Sequence, residues 1–361
     1  MIKDEGVLNI LRKRSLFVGE RSNMNLLSDA FPRTILLSTA TVALSFGAIS
    51  QAQAGSLSGA GATFPAPLYQ RYFADYQKAT GNQVSYNAVG SGAGIRQFIG
   101  ETVDFGATDV PPSASEKSQM KRGAILVPTA GGAVAVVYNL PGADQGVKIS
   151  RQVLPKIFSG QIKTWNQVDP KLPNKPIRVV VRADGSGTTE IFTSALSAMS
   201  GDFKSKVGVS KDPNWGFQVL KGPKNDGVAA MVKQTEGSIG YVQDTFARKN
   251  EGPKMRTAKI QNKAGQYVEP SLAEATKAIA NVKFNPDFTA NVDDPASGYP
   301  IVGITWLLVY QNYPDAAKGK DVKALVKWIL TSGQSINPQL EYTSIPPAVA
   351  KKAIAAVEKV K

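Results

Sequence analysis

The sequence predicts an α/β fold, on three observations. Short apolar runs of strand length recur along the chain. Longer runs with apolar residues at helical spacing lie between them. Turns rich in glycine and small hydroxyl residues follow several of the strand-like runs. Strands that alternate with helices in this way form mostly parallel sheets.

The first predicted strand, 57–62, leads into a helix. Pro65 and Pro67 suit the first turn of that helix, and Gly81 suits its end. Residues 84–88 alternate between apolar and polar side chains, as in a half-buried strand. Later apolar runs predict strands at 131–140, 177–181 and 301–310, and helices that begin at Ile95, cover 191–199 and 322–330, and span 346–360.

Serine followed by glutamate three residues later predicts the start of two more helices. These capping boxes pair Ser113 with Glu116 and Ser271 with Glu274. Helix and strand signals therefore alternate over residues 55–361, a length that suits two ordinary domains. We find no internal repeat and no long low-complexity linker in this stretch.

Residues 1–54 are expected to form a cleaved secretory signal peptide. Arg33 precedes a mostly apolar run, 35–49, and the small residues of Ala52–Ala54 follow it. This run is too short and too interrupted to span a bilayer comfortably, although an uncleaved anchor is the alternative. We expect cleavage after Ala54, with Met24 as an alternative start. Without a cysteine after the run, a lipoprotein anchor is excluded. No later segment reaches about 18 consecutive apolar residues, so we expect the exported chain to be soluble.

The chain contains neither histidine nor cysteine in its 361 residues. A Ser-His-Asp or Cys-His nucleophile is therefore impossible. Zinc and iron sites of the usual His/Cys kind are excluded as well, and so are disulfides. No metal and no cofactor is expected.

The formal net charge is +14, and residues 1–54 contribute +2 of it. A basic balance suits nucleic acid, an anionic surface or an anionic ligand. Because the lysines are scattered and the protein is expected to be exported, we do not expect a nucleic-acid partner. Most of these charges are interpreted as solvated surface.

The segment 182–188 has the composition of an oxyanion site. Its Ser-Gly-Thr lies where an apolar strand turns into a helix. The first amides of a helix have no internal partners and carry positive potential. Arg182 adds a planar, permanently charged fork at the same place. These groups together predict a small tetrahedral anion as ligand.

Two other turns, 61–64 and 90–92, place a hydroxyl group and free amides before a predicted helix. Asp109 adds a carboxylate after an apolar strand end. One glycine-rich turn alone is usually a plain turn. Several together indicate a ligand site, because ligands of open α/β sheets lie at the carboxyl ends of the strands.

These motifs resemble those of the phosphate-binding proteins of ABC phosphate transporters. Residues 59–67 (GAGATFPAP) are similar to the opening signature of that family. Segments 103–109 (VDFGATD) and 182–188 resemble its two other ligand motifs. Further landmarks match at 225–227 and 237–242, so the resemblance covers essentially the whole of residues 55–361.

The resemblance implies phosphate contacts from eight residues. They are Thr63, Phe64 through its backbone N–H, Ser91, Asp109, Arg182, Ser186, Gly187 and Thr188. Asp184 would orient Arg182 without touching the ligand, or would be an ordinary turn aspartate. Gly92 stands where the family often has a second small hydroxyl residue, which leaves one hydroxyl fewer but keeps the backbone amide.

The fold implied by the resemblance is that of a class II periplasmic binding protein. Two α/β lobes joined by a two-strand hinge would close over a ligand in the cleft between them. Lobe I would comprise 55–135 and 301–361, and lobe II would comprise 136–300. The protein would act as a monomer that binds inorganic phosphate with high affinity and delivers it to the membrane permease subunits of an ABC transporter.

Asp109 suits an oxyanion that still carries a proton. An ionised carboxylate only accepts hydrogen bonds, so it would repel fully deprotonated sulfate or molybdate. Arsenate carries the same proton as phosphate and remains an alternative ligand. An exported phosphatase of related fold is the alternative among enzymes, although the usual metal-ligand histidines are missing.

Overall fold

Twelve strands and eleven helices form the part of the chain that the computed structural model describes, residues 55–143 and 146–361. The strands are β1 Ser56–Gly61, β2 Gln83–Ala88, β3 Phe105–Thr108, β4 Ile125–Asn139, β5 Lys148–Ile149, β6 Arg178–Arg182, β7 Leu220–Gly222, β8 Ser238–Gln243, β9 Arg256–Thr257, β10 Lys259–Gln261, β11 Tyr267–Val268 and β12 Val302–Val309. The helices are α1 Ala66–Thr80, α2 Ser91–Ile99, α3 Ala114–Ser118, α4 Val153–Phe158, α5 Gly187–Met199, α6 Gly201–Lys206, α7 Lys224–Gln234, α8 Asp244–Asn250, α9 Leu272–Ile279, α10 Ala316–Leu330 and α11 Pro347–Val357. None of these helices is long and apolar enough to cross a membrane. The predicted signal peptide, residues 1–54, lies outside the described residues.

Nine of the strands form one mixed sheet in the order β2-β1-β3-β12-β4-β8-β6-β7, and β9 pairs with β4 beside this path. On one flank β1 runs parallel to β2 and β3, and on the other β6 runs parallel to β7 and β8. In the centre, β12 is antiparallel to β3 and β4, and β4 is antiparallel to β8. The expected parallel sheet is therefore found on both flanks. The centre is antiparallel, because β4 and β12 carry the chain between the flanks in opposite directions.

Strand β4 changes its partner along its length. Residues 125–133 lie in the register that pairs with β12, and residues 134–139 pair with β8. One continuous strand thus pairs first with β12 and then with β8. This change of partner falls close to the predicted boundary between the lobes at 135/136. The division into lobes 55–135, 136–300 and 301–361 stays a prediction, which this change of partner supports.

Local signals in the sequence placed several helix ends. Gly81 ends α1 in the left-handed conformation, with φ of +80°. Ser113 and Glu116 form the reciprocal capping box of α3. At the start of α9, the side chain of Ser271 accepts the N–H of Glu274. These short polar side chains satisfy amides that a helix start leaves without partners.

Helix α2 begins earlier than the apolar periodicity predicts. Gly90, with φ of +94°, makes the turn, and the helix starts at Ser91 instead of near Ile95. The glycines at 92 and 94 therefore belong to the first turns of the helix and not to a preceding loop. The early start points the first amides of α2 at the carboxyl ends of the neighbouring strands.

Aromatic stacking fixes the two helices that begin at these strand ends. Phe98 of α2 stacks on Tyr310 with ring centroids 4.0 Å apart, and Phe192 of α5 stacks on Tyr241 at 4.2 Å. The hydroxyl groups of Thr189 and Tyr241 also share a buried hydrogen bond of 2.8 Å. Because both helices are held by buried rings, their N-termini have defined positions.

Candidate functional site

Polar side chains converge where the two flanks of the sheet meet. Asp109 follows β3, Arg182 ends β6, and Ser91 and Ser186 stand at the starts of α2 and α5. All eight predicted ligand residues are buried. The seven that have side chains are at most 3% exposed, namely Thr63, Phe64, Ser91, Asp109, Arg182, Ser186 and Thr188. Burying so many polar groups is costly unless they bind one another or a ligand.

The Asp109 carboxylate lies between Ser91 and the start of α5. Ser91 Oγ accepts the N–H of Asp109 at 3.2 Å and lies 3.4 Å from its Oδ2. A methyl group at position 187 would come within 2.4 Å of Ser91 Oγ and 2.7 Å of Asp109 Cβ. Glycine at 187 is therefore needed for the helix to approach this closely. The N–H of Gly92 also donates to the carbonyl of Gly185 at 3.0 Å, so the two flanks touch beside the site.

Arg182 is held along one edge of its guanidinium by Asp184. Its Nε donates to Oδ1 at 2.9 Å and its Nη2 to Oδ2 at 2.5 Å. Asp184 Oδ1 also accepts the N–H of Lys224 at 2.8 Å, which fixes the carboxylate in turn. The other edge, through Nη1, faces Thr188 Oγ1 at 3.5 Å. The guanidinium thus presents a fixed pair of donors to the start of α5, the geometry that suits an oxyanion.

The first turn of α5 adds more donors beside this edge. Ser186 Oγ accepts the N–H of Thr189 at 3.1 Å, so its own proton remains available. The amides of Gly187 and Thr188 stand in the first turn, where no preceding helical carbonyl can accept from them. Hydroxyl groups, amides and a guanidinium therefore line one side, and the Asp109 carboxylate lines the other.

The two carboxylates have opposite pKa shifts. Burial raises the pKa of Asp109 to about 7, against hydrogen bonds from Thr305 and Ser91 and the charge of Arg182, which lower it. Burial also raises the pKa of Asp184, but hydrogen bonds and charge from Arg182 outweigh it and leave that pKa below its usual range. Asp184 is therefore ionised, whereas Asp109 gains a proton, and with it a hydrogen-bond donor, below about pH 7.

Two buried residues of the site were missed by sequence reasoning. Asn225 Nδ2 donates to Thr63 Oγ1 at 2.8 Å, and its Oδ1 accepts the N–H of Gln243 at 3.0 Å. Thr305 Oγ1 donates to Asp109 Oδ1 at 2.9 Å. Asn225 belongs to the landmark 225–227, but nothing in the sequence joins it to Thr63. Thr305 is a single hydroxyl inside the run 301–310, which reads only as an apolar strand.

A cavity of about 780 Å³ opens beside the site, and an ion pair spans its wall. Lys211 Nζ lies 2.7 Å and 3.0 Å from the two carboxylate oxygens of Glu116. Burial would raise the pKa of Glu116, but hydrogen bonds from Lys211 and Ser113 outweigh it and lower the value. The pair joins α3, on the β3 side, to the loop before β7, on the β6 side.

The family model described as the PBP superfamily domain matches residues 47–332. The chain is 37% identical over 318 residues to the phosphate-binding protein PstS of Haemophilus influenzae, covering 85% of this chain and 93% of the relative. It is 35% identical over 334 residues to the phosphate-binding protein PstS of Methanocaldococcus jannaschii, covering 83% and 85%. Among solved structures, the periplasmic phosphate-binding protein PfluDING bound with phosphate superposes with a TM-score of 0.70 at 26% identity, over 83% of this chain and 93% of that one.

The family model spans the strand ends and helix starts that carry the site, from Thr63 to Thr305. The relatives are binding proteins, and the match covers most of the length of each of them. The chain therefore belongs to the PBP superfamily and, within it, to the PstS family of phosphate-binding proteins.

Proposed function

We propose that this chain binds inorganic phosphate in the periplasm and delivers it to the permease subunits of an ABC phosphate transporter. It is a binding protein and not an enzyme, as its PstS relatives are. The alternative of an exported phosphatase is therefore set aside. Location in the periplasm and docking on the permease are inferred from the family and from the predicted signal peptide.

The buried guanidinium of Arg182 opposite the buried carboxylate of Asp109 carries this proposal. The guanidinium, together with the amides and hydroxyl groups of the first turn of α5, offers hydrogen-bond donors that suit the oxygens of an oxyanion. Asp109 offers an acceptor, which suits the one remaining proton of phosphate. Phosphate at neutral pH supplies both features, and sulfate lacks the proton. Thr63, Phe64, Ser91, Ser186, Gly187 and Thr188 are proposed to complete the contacts.

Isothermal titration of the mature chain with phosphate, sulfate and arsenate tests the proposal. We expect phosphate and arsenate to bind and sulfate to bind far more weakly. A phosphatase assay on the same sample should give no turnover. Binding of sulfate as tight as that of phosphate would contradict the proposal, because the carboxylate would then have no effect on selectivity.

Closure of the two proposed lobes is the second expected property. Phosphate should reduce the radius of gyration in small-angle scattering, because the flanks joined by β4 and β12 close by a hinge. It should also raise the melting temperature, since a ligand that binds only the folded state stabilises it. Sulfate at the same ionic strength serves as control. A radius of gyration that stays the same when phosphate is added would contradict a hinge between the two proposed lobes. These are lobe I, 55–135 with 301–361, and lobe II, 136–300.

The ion pair between Lys211 and Glu116 should slow the release of phosphate. Glu116→Gln keeps the cap of α3 but removes the charge that Lys211 contacts. Both side chains are about a fifth exposed, so the expected effect is small. An ion pair near the surface contributes roughly 0.2–1 kcal/mol, so its loss should make dissociation about one-and-a-half- to fivefold faster.

Stopped-flow dissociation at low and high salt measures this effect, with Asp202→Asn as a matched control. Asp202 pairs with Lys206 within α6, so its loss leaves the cleft untouched. The difference between Glu116→Gln and the wild type should shrink at high salt, because salt screens exposed charges. A dissociation rate equal to that of the wild type at low salt would show that the pair does not hold the cleft.

A further inference from the structure

Thr305 contacts the carboxylate that the proposed function makes the selective group. Its hydroxyl lies 2.9 Å from Asp109 Oδ1 and 3.4 Å from the carbonyl of Thr108. It is fully buried in β12, next to the end of β3 that leads into Asp109. A hydroxyl group has one proton to donate, and the shorter contact is the one to the carboxylate.

The two carboxylate oxygens of Asp109 have different surroundings. Oδ1 is turned back to β12 by Thr305, and Oδ2 faces Ser91 and the space where a methyl group on Gly187 would lie. Oδ2 is therefore the oxygen on the side of the predicted ligand residues. A carboxylate that is hydrogen-bonded at one oxygen cannot rotate freely, so its other oxygen stays oriented towards the cleft.

We propose that Thr305 determines phosphate specificity as a positioning residue, because its hydroxyl holds Oδ1 of Asp109 as an acceptor and directs Oδ2 at the proton of the ligand. The inference rests on the proposed function. The hydroxyl also suits both protonation states of Asp109. It donates to Oδ1 when the carboxylate is ionised, and it can accept from a protonated Oδ1 while it donates to the Thr108 carbonyl.

Other groups around Asp109 set the background for its titration. Arg182 of β6 favours the ionised form, and hydrogen bonds from Thr305 and Ser91 do so as well. Glu190 and Asp293 line, together with Asp109, an adjacent cavity of about 180 Å³. The charged and titratable groups facing Asp109 are Arg182, Glu190, Asp293, Tyr69, Tyr86 and Tyr342. Without Thr305, fewer hydrogen-bond donors would offset the rise that burial causes in the pKa of Asp109.

Thr305→Val tests the proposal, because valine keeps the shape and removes the hydroxyl. The titration midpoint of Asp109, followed through its carboxyl carbon by NMR and assigned with Asp109→Asn, should rise by about one pH unit. The ratio of sulfate to phosphate dissociation constants at about pH 7 should fall about tenfold relative to the wild type, since more Asp109 is then protonated. Because the variant and the wild type are compared at the same pH, the titration of phosphate itself does not contribute to the difference between them.

Three variants provide controls. Thr305→Ser keeps the hydroxyl and should behave like the wild type. Thr305→Ala also removes the hydroxyl and takes the place of Thr305→Val if that variant does not fold. Thr193→Val removes a buried hydroxyl from α5 that bonds the carbonyl of Glu190 and contacts neither Thr305 nor Asp109, and should leave the midpoint unchanged. In an Asp109→Ala background, where no side-chain oxygen is left for Thr305 to position, Thr305→Val should have no further effect on selectivity.

A wild-type midpoint in Thr305→Val, or an equal shift in Thr305→Ser, would overturn the role of the hydroxyl. A selectivity change that persists in the Asp109→Ala background would overturn the route through Asp109. If the wild-type protein bound no phosphate, the proposed function would fail, but the NMR midpoint would still test the contact between Thr305 and Asp109. The two failures are therefore distinguishable.

Discussion

Replacing Arg182 with alanine should weaken phosphate binding by about tenfold or more. Hydrogen bonds to charged groups contribute roughly 1.5–3 kcal/mol each, and about 1.4 kcal/mol corresponds to tenfold in affinity. The Nη1 edge of Arg182 faces the start of α5, so its removal takes away the only permanent positive charge proposed to touch the ligand. Titration calorimetry at constant ionic strength measures the loss.

Arg182→Lys should recover only part of the affinity. A lysine ammonium is a point charge, and it cannot bind Asp184 along one edge while it offers two planar donors to an anion along another. Asp184→Asn complements this variant. It leaves the guanidinium in place but weakens the contacts that fix its orientation, so we expect an intermediate loss of affinity.

The matched control is Arg178→Ala, which removes an exposed arginine from the other end of the same strand. Circular dichroism and thermal unfolding should show that each variant is folded, because Arg182→Ala leaves Asp184 without its ion pair. Phosphate affinity that is the same in Arg182→Ala and in Arg178→Ala would remove Arg182 from the site.

The sequence predicted the parts of the site that depend on local structure. The glycines and hydroxyl groups of 182–188 indicated a helix start, and Ser186 does cap α5. The Asp109 and Arg182 positions followed from the rule that ligands lie at strand ends. Such features are set by residues within one turn of each other, so they are readable from the chain alone.

Contacts between distant strands could not be predicted in this way. Thr305 reaches Asp109 across 196 positions of sequence, and Asn225 reaches Thr63 across 162. Both pairings depend on the register of the sheet, and here β12 shifts register against β4 between Thr305 and Trp306. The antiparallel centre was missed for a related reason, because apolar strands buried on both faces carry no signal of direction. The resemblance to a family predicted eight ligand residues but not the residues that hold them in place.

Replacing Asp109 with asparagine should shift selectivity towards sulfate more than it changes phosphate affinity. Asparagine keeps the size and can keep the acceptor for Thr305, while it places an amide donor where Oδ2 faces the cleft. Sulfate then loses a repulsive contact and gains a hydrogen bond. Phosphate loses its acceptor but can accept from the amide instead. Removing an unpaired, like-charged contact from a buried site is worth several kcal/mol, so the selectivity ratio should fall by about a hundredfold.

The ratio of phosphate to sulfate affinity is measured by competition titration at about pH 8, where Asp109 of the wild type, with a pKa of about 7, is mostly ionised. Lower pH should reduce the wild-type ratio, because protonated Asp109 can donate to sulfate, whereas the variant has no such titration. Asp244→Asn is the control, since Asp244 is also a buried aspartate with a pKa raised by burial, to about 6, but pairs with Arg248 in α8. A ratio in Asp109→Asn that stays at the wild-type value would leave Asp109 as an ordinary turn carboxylate, and the proton of the ligand would have to be recognised elsewhere.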